Sequence, residues 1–277
     1  AAVKLMQSNL VLAAGCLYPD CGNNHKATGG EGTLGRSFWL PVLGALGLTV
    51  LGEAVALGFD PSPPVAAEEA RVADGAFRIL TALAVPVFAF VLSFLVYSAL
   101  RFRRRAGEWA DGPPVHGSRP VAVTWLGVTT TLTLVLIAVG TLGLEEIRHT
   151  AHLPPDLVVR VEGMRWGWQV SYPEAGVSTN RELVLPVGRR VRVEVTSRDV
   201  VHSFWIPAFR AKIDAVPGMV TSVAFTPNRT GGYQEDPDLR VQCAELCGTG
   251  HTLMVIPVRI VTDEEFRQWL ANQSRQM

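Results

Sequence analysis

The sequence has little charge for its length, and neither sign is in excess. Charged residues make up 18% of its 277 residues, and 25 basic side chains balance 25 acidic ones. A chain without net positive charge is not expected to bind nucleic acid. It has no P-loop and no C-x-x-C-H haem-attachment motif, so neither the phosphate-binding loop nor a covalently attached haem is predicted. Low charge together with long apolar runs favours a protein that is partly embedded in a membrane.

Cysteine is scarce, and its four copies form two widely separated pairs. Cys16 and Cys21 fall in a Gly- and Asn-rich stretch, 1–37, which we predict to be a disordered leader. The run NLVLAAGC resembles a lipoprotein cleavage site at Cys16, but its apolar part is short, so the leader is favoured over lipid attachment. Cys243 and Cys247 lie near the end of the chain, among other residues that bind metals.

Three apolar runs predict how the chain meets the membrane. The first, within 38–60, follows Arg36 and is typical of either a signal peptide or an extra transmembrane helix. A Pro-rich stretch after it is predicted to be a linker. The runs 79–100 and 120–144 carry no charge and are long enough to cross a bilayer, which predicts a two-helix transmembrane hairpin over 76–148.

Arginines at one end of this hairpin predict its orientation. Arg101, Arg103, Arg104 and Arg105 follow the first span almost directly. Loops rich in Arg and Lys stay in the cytoplasm, so this loop is predicted to be cytoplasmic. Everything after Glu145 is then expected to lie outside the cytoplasm.

Short alternating strands replace the apolar helices in the second half of the chain. Residues 190–195 alternate polar and apolar side chains with a period of two, as in a half-buried antiparallel strand. Similar runs occur at 157–161, 182–186, 219–225, 239–242 and 253–261. They predict an all-β domain over 150–262, a β-sandwich or Greek-key barrel. Thr262 and Glu265 form a capping-box pattern that predicts a helix within 263–277. The predicted fold class is therefore membrane-anchored α+β.

The run VQCAELCGTGHTLM at 241–254 carries most of the predicted chemistry. Cys243, Cys247, His251 and Met254 are soft or borderline ligands, a set that favours copper over calcium or magnesium. Two thiolates four residues apart can bridge two copper ions, and each ion then needs one imidazole and one weaker ligand. His202, upstream in DVVHSFWIP, is the best candidate for the second imidazole.

Simpler interpretations of these residues remain open at this point. An exported domain is oxidised, so Cys243 and Cys247 are also suited to a disulfide bond. A zinc site would use the thiols and a His, although zinc has little use for the thioether of Met254. A single His on a strand is also common in a protein core. The presence of all five residue positions together favours copper.

The segment CAELCGTGHTLM resembles the dinuclear copper motif C-x-E-x-C-x-x-x-H-x-x-M, known as CuA, of cytochrome c oxidase subunit II. The segments HGSRPVAVTW, MRWGWQVSY, DVVHSFWIP and KIDAVPG match the same family in the same order. The resemblance extends over roughly residues 75–262. It implies a cupredoxin-like fold for the β domain, with the copper site in the loop that joins its last two strands.

The resemblance also implies roles for single residues. The copper ligands would be His202, Cys243, Cys247, His251, Met254 and the backbone carbonyl of Glu245. Trp166 corresponds to a surface tryptophan through which a cytochrome delivers its electron. Trp168 lies two residues on, and this spacing predicts that both rings share one face of a strand. The side chain of Glu245, with Asp214, would lie near a magnesium or manganese ion at the contact with subunit I.

The function implied is that of the electron-receiving subunit of a bacterial haem–copper oxidase in the inner membrane. A periplasmic cytochrome c would reduce the copper pair, and subunit I would then reduce oxygen to water, coupled to proton pumping, with subunit III as a further partner. Asp199 and Glu174 are the carboxylates expected to attract a basic cytochrome. Arg198 stands where many relatives carry an acid, so a less basic donor is the alternative.

One position departs from the family pattern. Ala122 occupies the place of a Glu near the mouth of a proton channel in subunit I, and alanine cannot carry a proton. The alternatives in function are a copper-free quinol-oxidase relative, a disulfide-bonded structural sandwich and a nitrous-oxide or nitric-oxide reductase subunit. The intact ligand set disfavours the copper-free relative, and the helical hairpin favours the oxidase over the reductases.

Overall fold

The structure, a computed structural model, describes residues 36–59, 62–103 and 117–275. Cys16, Cys21 and nearly all of the predicted leader lie outside the described residues, as do Arg104 and Arg105. Within the described ranges the chain forms four α-helices and eleven β-strands. The helices are α1 (Arg36–Gly58), α2 (Ala70–Arg101), α3 (Arg119–His152) and α4 (Asp263–Ser274). The strands are β1 (Leu157–Met164), β2 (Gly167–Tyr172), β3 (Val177–Thr179), β4 (Leu183–Pro186), β5 (Val191–Ser197), β6 (His202–Ile206), β7 (Ala211–Ala215), β8 (Thr221–Phe225), β9 (Gly231–Gly232), β10 (Arg240–Cys243) and β11 (Val255–Val261).

Three of these helices are long and apolar enough to span a membrane. The candidate spans are Trp39–Gly58, Ala70–Arg101 and Arg119–His149, of 20, 32 and 31 residues. A helix needs about 20 apolar residues to cross the bilayer core. The predicted hairpin corresponds to α2 and α3, and the first apolar run adds a third candidate span. None of the described side chains of α3 is buried within the chain, so its apolar surface is available for contacts outside the chain.

Two glycines of α1 allow it to pack closely along α2. A Cβ atom on Gly44 would lie 2.6 Å from Ser93 Oγ, and one on Gly52 would lie 2.7 Å from Val85 Cγ1. The Ser93 hydroxyl also donates a hydrogen bond to the Pro41 carbonyl oxygen at 2.7 Å. Small residues and interhelical hydrogen bonds are the usual means by which helices associate in lipid. α1 is therefore a packed part of the helical region.

The strands form two sheets that enclose one hydrophobic core. The first sheet has the order β3-β2-β1-β5-β8, and the second has the order β4-β11-β10-β6-β7, with β9 beside β11. Neighbouring strands are antiparallel except for β1 with β5 and β4 with β11, which run parallel. The predicted alternation is present in β5, where Val191, Val193 and Val195 are buried and the residues between them are not. The predicted β-sandwich is confirmed.

The C-terminal helix begins with the predicted capping box. The Glu265 N–H donates to Thr262 Oγ1 at 3.3 Å, and the Thr262 N–H donates to Glu265 Oε2 at 2.9 Å. Phe266 and Trp269 then pack against Tyr172, with ring centroids 5.9 and 5.2 Å apart. α4 is thereby fixed to the sandwich at the end of β2.

The stretch predicted to be a linker is built into the β domain. Ala66 and Ala67 are completely buried in its core, and the Ala66 N–H donates to the Ala208 carbonyl oxygen at 3.0 Å. Small Ala side chains produce no strong apolar pattern, which is why the sequence predicts a linker here. The start of α2 is held further by Asp74, which pairs with Arg210 at 2.8 Å. The candidate membrane helix α2 and the sandwich are thus joined through a packed contact.

Candidate metal centre

The loop between β10 and β11 holds both cysteines at one end of the sandwich. β10 ends at Cys243, and β11 begins at Val255. The Cys243 N–H donates to the Met254 carbonyl oxygen at 3.1 Å and closes the base of the loop. β6, which begins at His202, pairs with β10. The two stretches predicted to act together are therefore neighbours in space.

Each cysteine sulfur is accompanied by one imidazole nitrogen. Cys243 Sγ lies 3.7 Å from His202 Nδ1, and Cys247 Sγ lies 3.6 Å from His251 Nδ1. The two sulfurs are 3.9 Å apart. The ligand atoms of His202, Cys243 and Cys247 lie within 4.8 Å of one another, close enough to hold a metal ion.

Each sulfur also has a weaker donor nearby. Cys243 Sγ is 3.2 Å from the Glu245 carbonyl oxygen, and Cys247 Sγ is 4.0 Å from Met254 Sδ. Met254 is completely buried, and both cysteines are nearly so. The site therefore has two similar halves, each with a thiol, an imidazole and a weaker donor.

The two cysteines are free thiols in the structure. Their separation of 3.9 Å is far longer than the about 2.05 Å of a disulfide bond, which disfavours that interpretation. Burial, and after it the charge of Cys243, raises the pKa of the Cys247 thiol to about 11. A bound metal ion reverses this tendency, because coordination deprotonates a thiol. Buried sulfurs with imidazoles and a thioether fit a soft metal such as copper.

His202 is completely buried, and its second ring nitrogen is held by a carboxylate. His202 Nε2 lies 2.9 Å from Asp199 Oδ1, which leaves Nδ1, the nitrogen facing Cys243, available to a metal. Arg165 holds Asp199 in turn, since its Nε and backbone N–H donate to Oδ2 at 3.1 and 2.9 Å. Burial by itself would raise the pKa of Asp199. The hydrogen bonds from His202, Val200 and Arg165 outweigh burial and hold that pKa far below its usual range.

Trp166 lies across the loop that carries the ligands. Its Nε1 donates a hydrogen bond to the Cys247 carbonyl oxygen at 3.3 Å, and the residue is 44% exposed. Gly250 makes room for the ring, because a Cβ atom there would lie 2.4 Å from Trp166 Cδ2. Gly248, with a φ of +119°, approaches the same indole. The indole thus connects the surface to the backbone of a candidate ligand.

The prediction that Trp166 and Trp168 share one face is wrong. Trp166 stands in the turn before β2, whereas Trp168 is within β2 and only 1% exposed. Trp168 packs edge-on against His202, with ring centroids 6.1 Å apart, and its Nε1 donates to the Met254 carbonyl oxygen at 3.3 Å. Gly163 permits this packing, because a Cβ atom there would lie 3.0 Å from His202 Cδ2. Trp168 therefore supports the candidate ligands from inside the core.

The carboxylates of Asp214 and Glu245 are both exposed near the metal end of the second sheet. Asp214 is paired with Ser203 across β7 and β6, and the Ala244 N–H donates to the Ser203 carbonyl oxygen at 3.0 Å. Two strand spacings of about 4.8 Å place the backbones of Asp214 and Ala244 roughly 10 Å apart. The structure therefore brings Asp214 and Glu245 to the same region of the surface.

Neither carboxylate predicted to attract the donor is a free charge beside Trp166. Asp199 is bonded to Arg165 and His202, as described above. Glu174 lies in the short turn Pro173–Ala175 beyond the end of β2. At a rise of about 3.3 Å per residue, β2 carries it roughly 20 Å from the turn that holds Trp166. The structure does not bring Glu174 to the metal end.

Three supporting residues, Arg165, Gly163 and Gly250, have no counterpart among the predictions from the sequence. An isolated glycine within a strand signals the close approach of another group, so Gly163 carried a usable signal. Arg165 reaches Asp199 only because the turn before β2 faces the loop after β5. No local sequence pattern reports such a contact.

Comparison with known proteins identifies the family. Residues 174–261 match the family described as cytochrome c oxidase subunit II, periplasmic domain. Cytochrome c oxidase subunit 2 of Thermostichus vulcanus is 31% identical over 261 residues, which cover 75% of this chain and 76% of that protein. Heme-copper oxidase subunit 2 of Aeropyrum pernix is 34% identical over 205 residues, which cover 69% of this chain and 85% of that protein. A solved structure also matches, the crystal structure of the periplasmic domain of subunit II of cytochrome oxidase of Bradyrhizobium japonicum. Its sequence is 33% identical, the match covers 44% of this chain and 96% of that one, and the TM-score is 0.41. The chain belongs to the cytochrome c oxidase subunit 2 family.

Proposed function

We propose that this chain receives electrons at a dinuclear copper centre, CuA, and passes them to haem in subunit I of a cytochrome c oxidase. The main support is the paired arrangement of the site, in which each of two sulfurs 3.9 Å apart has its own imidazole and weaker donor. A single tetrahedral zinc ion with bonds of about 2.0–2.3 Å would need all of its ligand atoms within roughly 3.8 Å of one another. His251 is not among the three residues, His202, Cys243 and Cys247, whose ligand atoms lie within 4.8 Å of one another. One metal ion therefore cannot bind both imidazoles and both thiols, whereas two ions can.

Six groups would hold the copper pair: the thiolates of Cys243 and Cys247, Nδ1 of His202 and of His251, Sδ of Met254 and the carbonyl oxygen of Glu245. Bound copper would supply reversible one-electron chemistry. The chain's own part is to hold these donors still, through β6, β10 and the base of the loop. A site whose ligands move little when its charge changes is reduced and oxidised easily.

Trp166 is the residue through which the electron arrives. It is the aromatic side chain that is both exposed at the metal end and hydrogen-bonded to the backbone of a ligand, Cys247. Its indole offers a delocalised path from the surface into the loop. Trp168, which is buried behind His202, keeps that imidazole in position.

Onward transfer leads to subunit I, where oxygen is reduced to water and protons are pumped, with subunit III as a further partner. Asp214 and Glu245 would face this contact because they share an exposed region beside the copper loop. A magnesium or manganese ion there would take oxygen ligands from these carboxylates and complete its shell from the neighbouring subunit.

In this proposal the copper domain lies outside the cytoplasm, on the periplasmic side of a bacterial inner membrane. Arg101 is the last residue of α2 and Arg103 follows it, and positive charge there favours the cytoplasmic side. α3 then returns the chain to the side of the sandwich. α1 would add a third span, with Arg36 at its cytoplasmic start.

The test uses the complete copper-loaded oxidase and follows its reduction by a reduced cytochrome c in rapid mixing. The copper absorption is expected to change before the haem absorption does. Trp166→Phe is expected to keep the copper spectrum and to slow reduction by at least about tenfold, because it removes the indole and its bond to the Cys247 carbonyl. Haem reduced ahead of copper, or unchanged kinetics in the variant, would contradict the proposal.

A further inference from the structure

Given the proposed function, on which this inference rests, we infer that the electron donor binds through an apolar collar around the metal site. The collar consists of four exposed side chains: Trp166, Val201, Leu246 and Leu253. The donor that fits it is a small redox protein whose electron-donating edge is surrounded by uncharged apolar side chains. A strongly basic cytochrome does not fit it.

The collar lies on the same loops as the candidate ligands. Val201, Leu246 and Leu253 each stand one residue before a ligand, in front of His202, Cys247 and Met254 respectively. Leu246 and Leu253 are 83% and 78% exposed, and Val201 is 44% exposed. Single exposed apolar side chains are common. Four of them around one buried site form a patch of the kind that marks a binding surface.

The charges beside the collar cancel in pairs. Asp199 is bonded to Arg165 at 3.1 Å, between Oδ2 and Nε. Glu162, on β1, is bonded to Arg198. Arg198 thus neutralises the charge of Glu162, which would otherwise help to attract a basic donor.

Little net charge is left to attract a charged donor. Within the described residues 164–166, 198–201 and 244–254, the one acid or base outside these pairs, besides the ligand His251, is Glu245. Asp214 shares the exposed region of Glu245, and the proposed function assigns both carboxylates to the contact with subunit I. Electrostatic steering needs an excess of charge of one sign. It raises association rates by about 10–1000-fold, and this gain falls steeply as the salt concentration rises. Apolar burial needs no charge, and it gains most from large side chains that are exposed in the free protein, as Leu246 and Leu253 are.

The experiment measures the second-order rate of electron transfer to the complete copper-loaded oxidase by stopped flow, at about 10 and about 300 mM salt. Two reduced donors are compared: mitochondrial cytochrome c, which is basic, and azurin, a blue-copper protein with an apolar patch over its metal. The azurin rate is expected to change by less than about twofold with salt. Leu253→Ser is expected to lower it by about tenfold, because the contact loses a large apolar side chain.

A matched control and a variant with the opposite effect sharpen the test. Tyr233 is 39% exposed and follows Gly232, which pairs with Arg259, four residues along β11 from Val255. Tyr233→Ser should change the azurin rate by less than about twofold. Arg198→Glu leaves surplus acids beside the collar and should raise the low-salt rate of basic cytochrome c by about tenfold or more. The copper absorption of each variant is checked first.

Three outcomes would overturn the inference. In the first, basic cytochrome c reacts faster than azurin with the unaltered oxidase, and its rate falls by about tenfold or more with salt. In the second, Leu253→Ser leaves both donor rates unchanged. In the third, Leu253→Ser slows both donors equally and the chain separates from its haem subunit, which would assign the collar to that subunit. Failure of the proposed function looks different, because then neither donor reduces the copper.

Discussion

Asp199 and His202 are joined by a hydrogen bond of 2.9 Å between Oδ1 and Nε2, and the other nitrogen of the same ring faces the sulfur of Cys243. The carboxylate therefore fixes both the orientation of the imidazole and the nitrogen that a metal can use. Such a partner also makes the imidazole a better electron donor to the metal. Arg165 balances the negative charge of Asp199 from the surface side.

Asp199→Asn removes this charge and keeps the size of the side chain. We expect copper affinity to fall by about tenfold and the reduction potential of the site to rise, because less negative charge stabilises the oxidised metal. Copper competition and a redox titration measure the two effects. Glu174→Gln, at the other end of β2, is the control and should change neither. Equal potentials in Asp199→Asn and the unaltered chain would remove the role given to this carboxylate.

Gly250→Ala tests the close contact with Trp166. The added methyl group would lie 2.4 Å from Trp166 Cδ2, so the ring has to move. We expect the free energy of unfolding to fall by about 1–3 kcal/mol and reduction by the donor to slow, as measured by denaturant titration and stopped flow. Gly167→Ala is the control, because a Cβ atom there meets nothing within 4 Å. A Gly250→Ala variant as stable and as fast as the unaltered chain would show that the ring is not held there.

Met254→Leu removes the thioether and keeps an apolar side chain of similar volume in a completely buried position. The fold should survive, since such exchanges usually cost less than about 1.5 kcal/mol. Two coppers should still bind, and the reduction potential should rise because a donor to the oxidised metal is lost. Metal analysis and a redox titration measure both. An unchanged potential would mean that Met254 is a packing residue and not a ligand.

Gly44→Leu and Gly52→Leu test whether α1 packs on α2. Each new side chain would enter the space of α2, at Ser93 or at Val85. We expect both variants to lower the thermal stability of the detergent-solubilised chain, because close packing is the main source of helix association in lipid. Gly47→Leu is the matched control, since a Cβ atom at Gly47 meets nothing within 4 Å. Equal melting temperatures for all three variants would indicate that α1 does not pack on α2.

The sequence predicts best where a short spacing is set by chemistry. Cys243, Cys247, His251 and Met254 lie in one loop, so their spacing alone predicts that they meet, and the valines of β5 follow the period of a strand. It predicts less where the outcome depends on a distant contact. A spacing of two could not reveal that a turn separates Trp166 from Trp168. The carboxylate of Asp199 has the same sequence pattern whether it meets a donor protein or, as in the structure, His202.

Packing by small residues was also hidden from sequence reasoning. Ala66 and Ala67 bury little area each, so they resemble a linker until the sandwich that covers them is present. Gly250 is a similar case, since its lack of a side chain matters only because Trp166 occupies the space. In both places the tertiary neighbour, and not the local pattern, decides the role.

The most direct measurement is electron paramagnetic resonance of the purified oxidase, together with a copper count for this chain. Two copper ions per chain should be present, and the half-reduced centre should give one signal in which the unpaired electron is shared equally between two copper nuclei. A single copper ion with a signal from one nucleus, or a copper-free chain with Cys243 and Cys247 joined as a disulfide, would contradict the account.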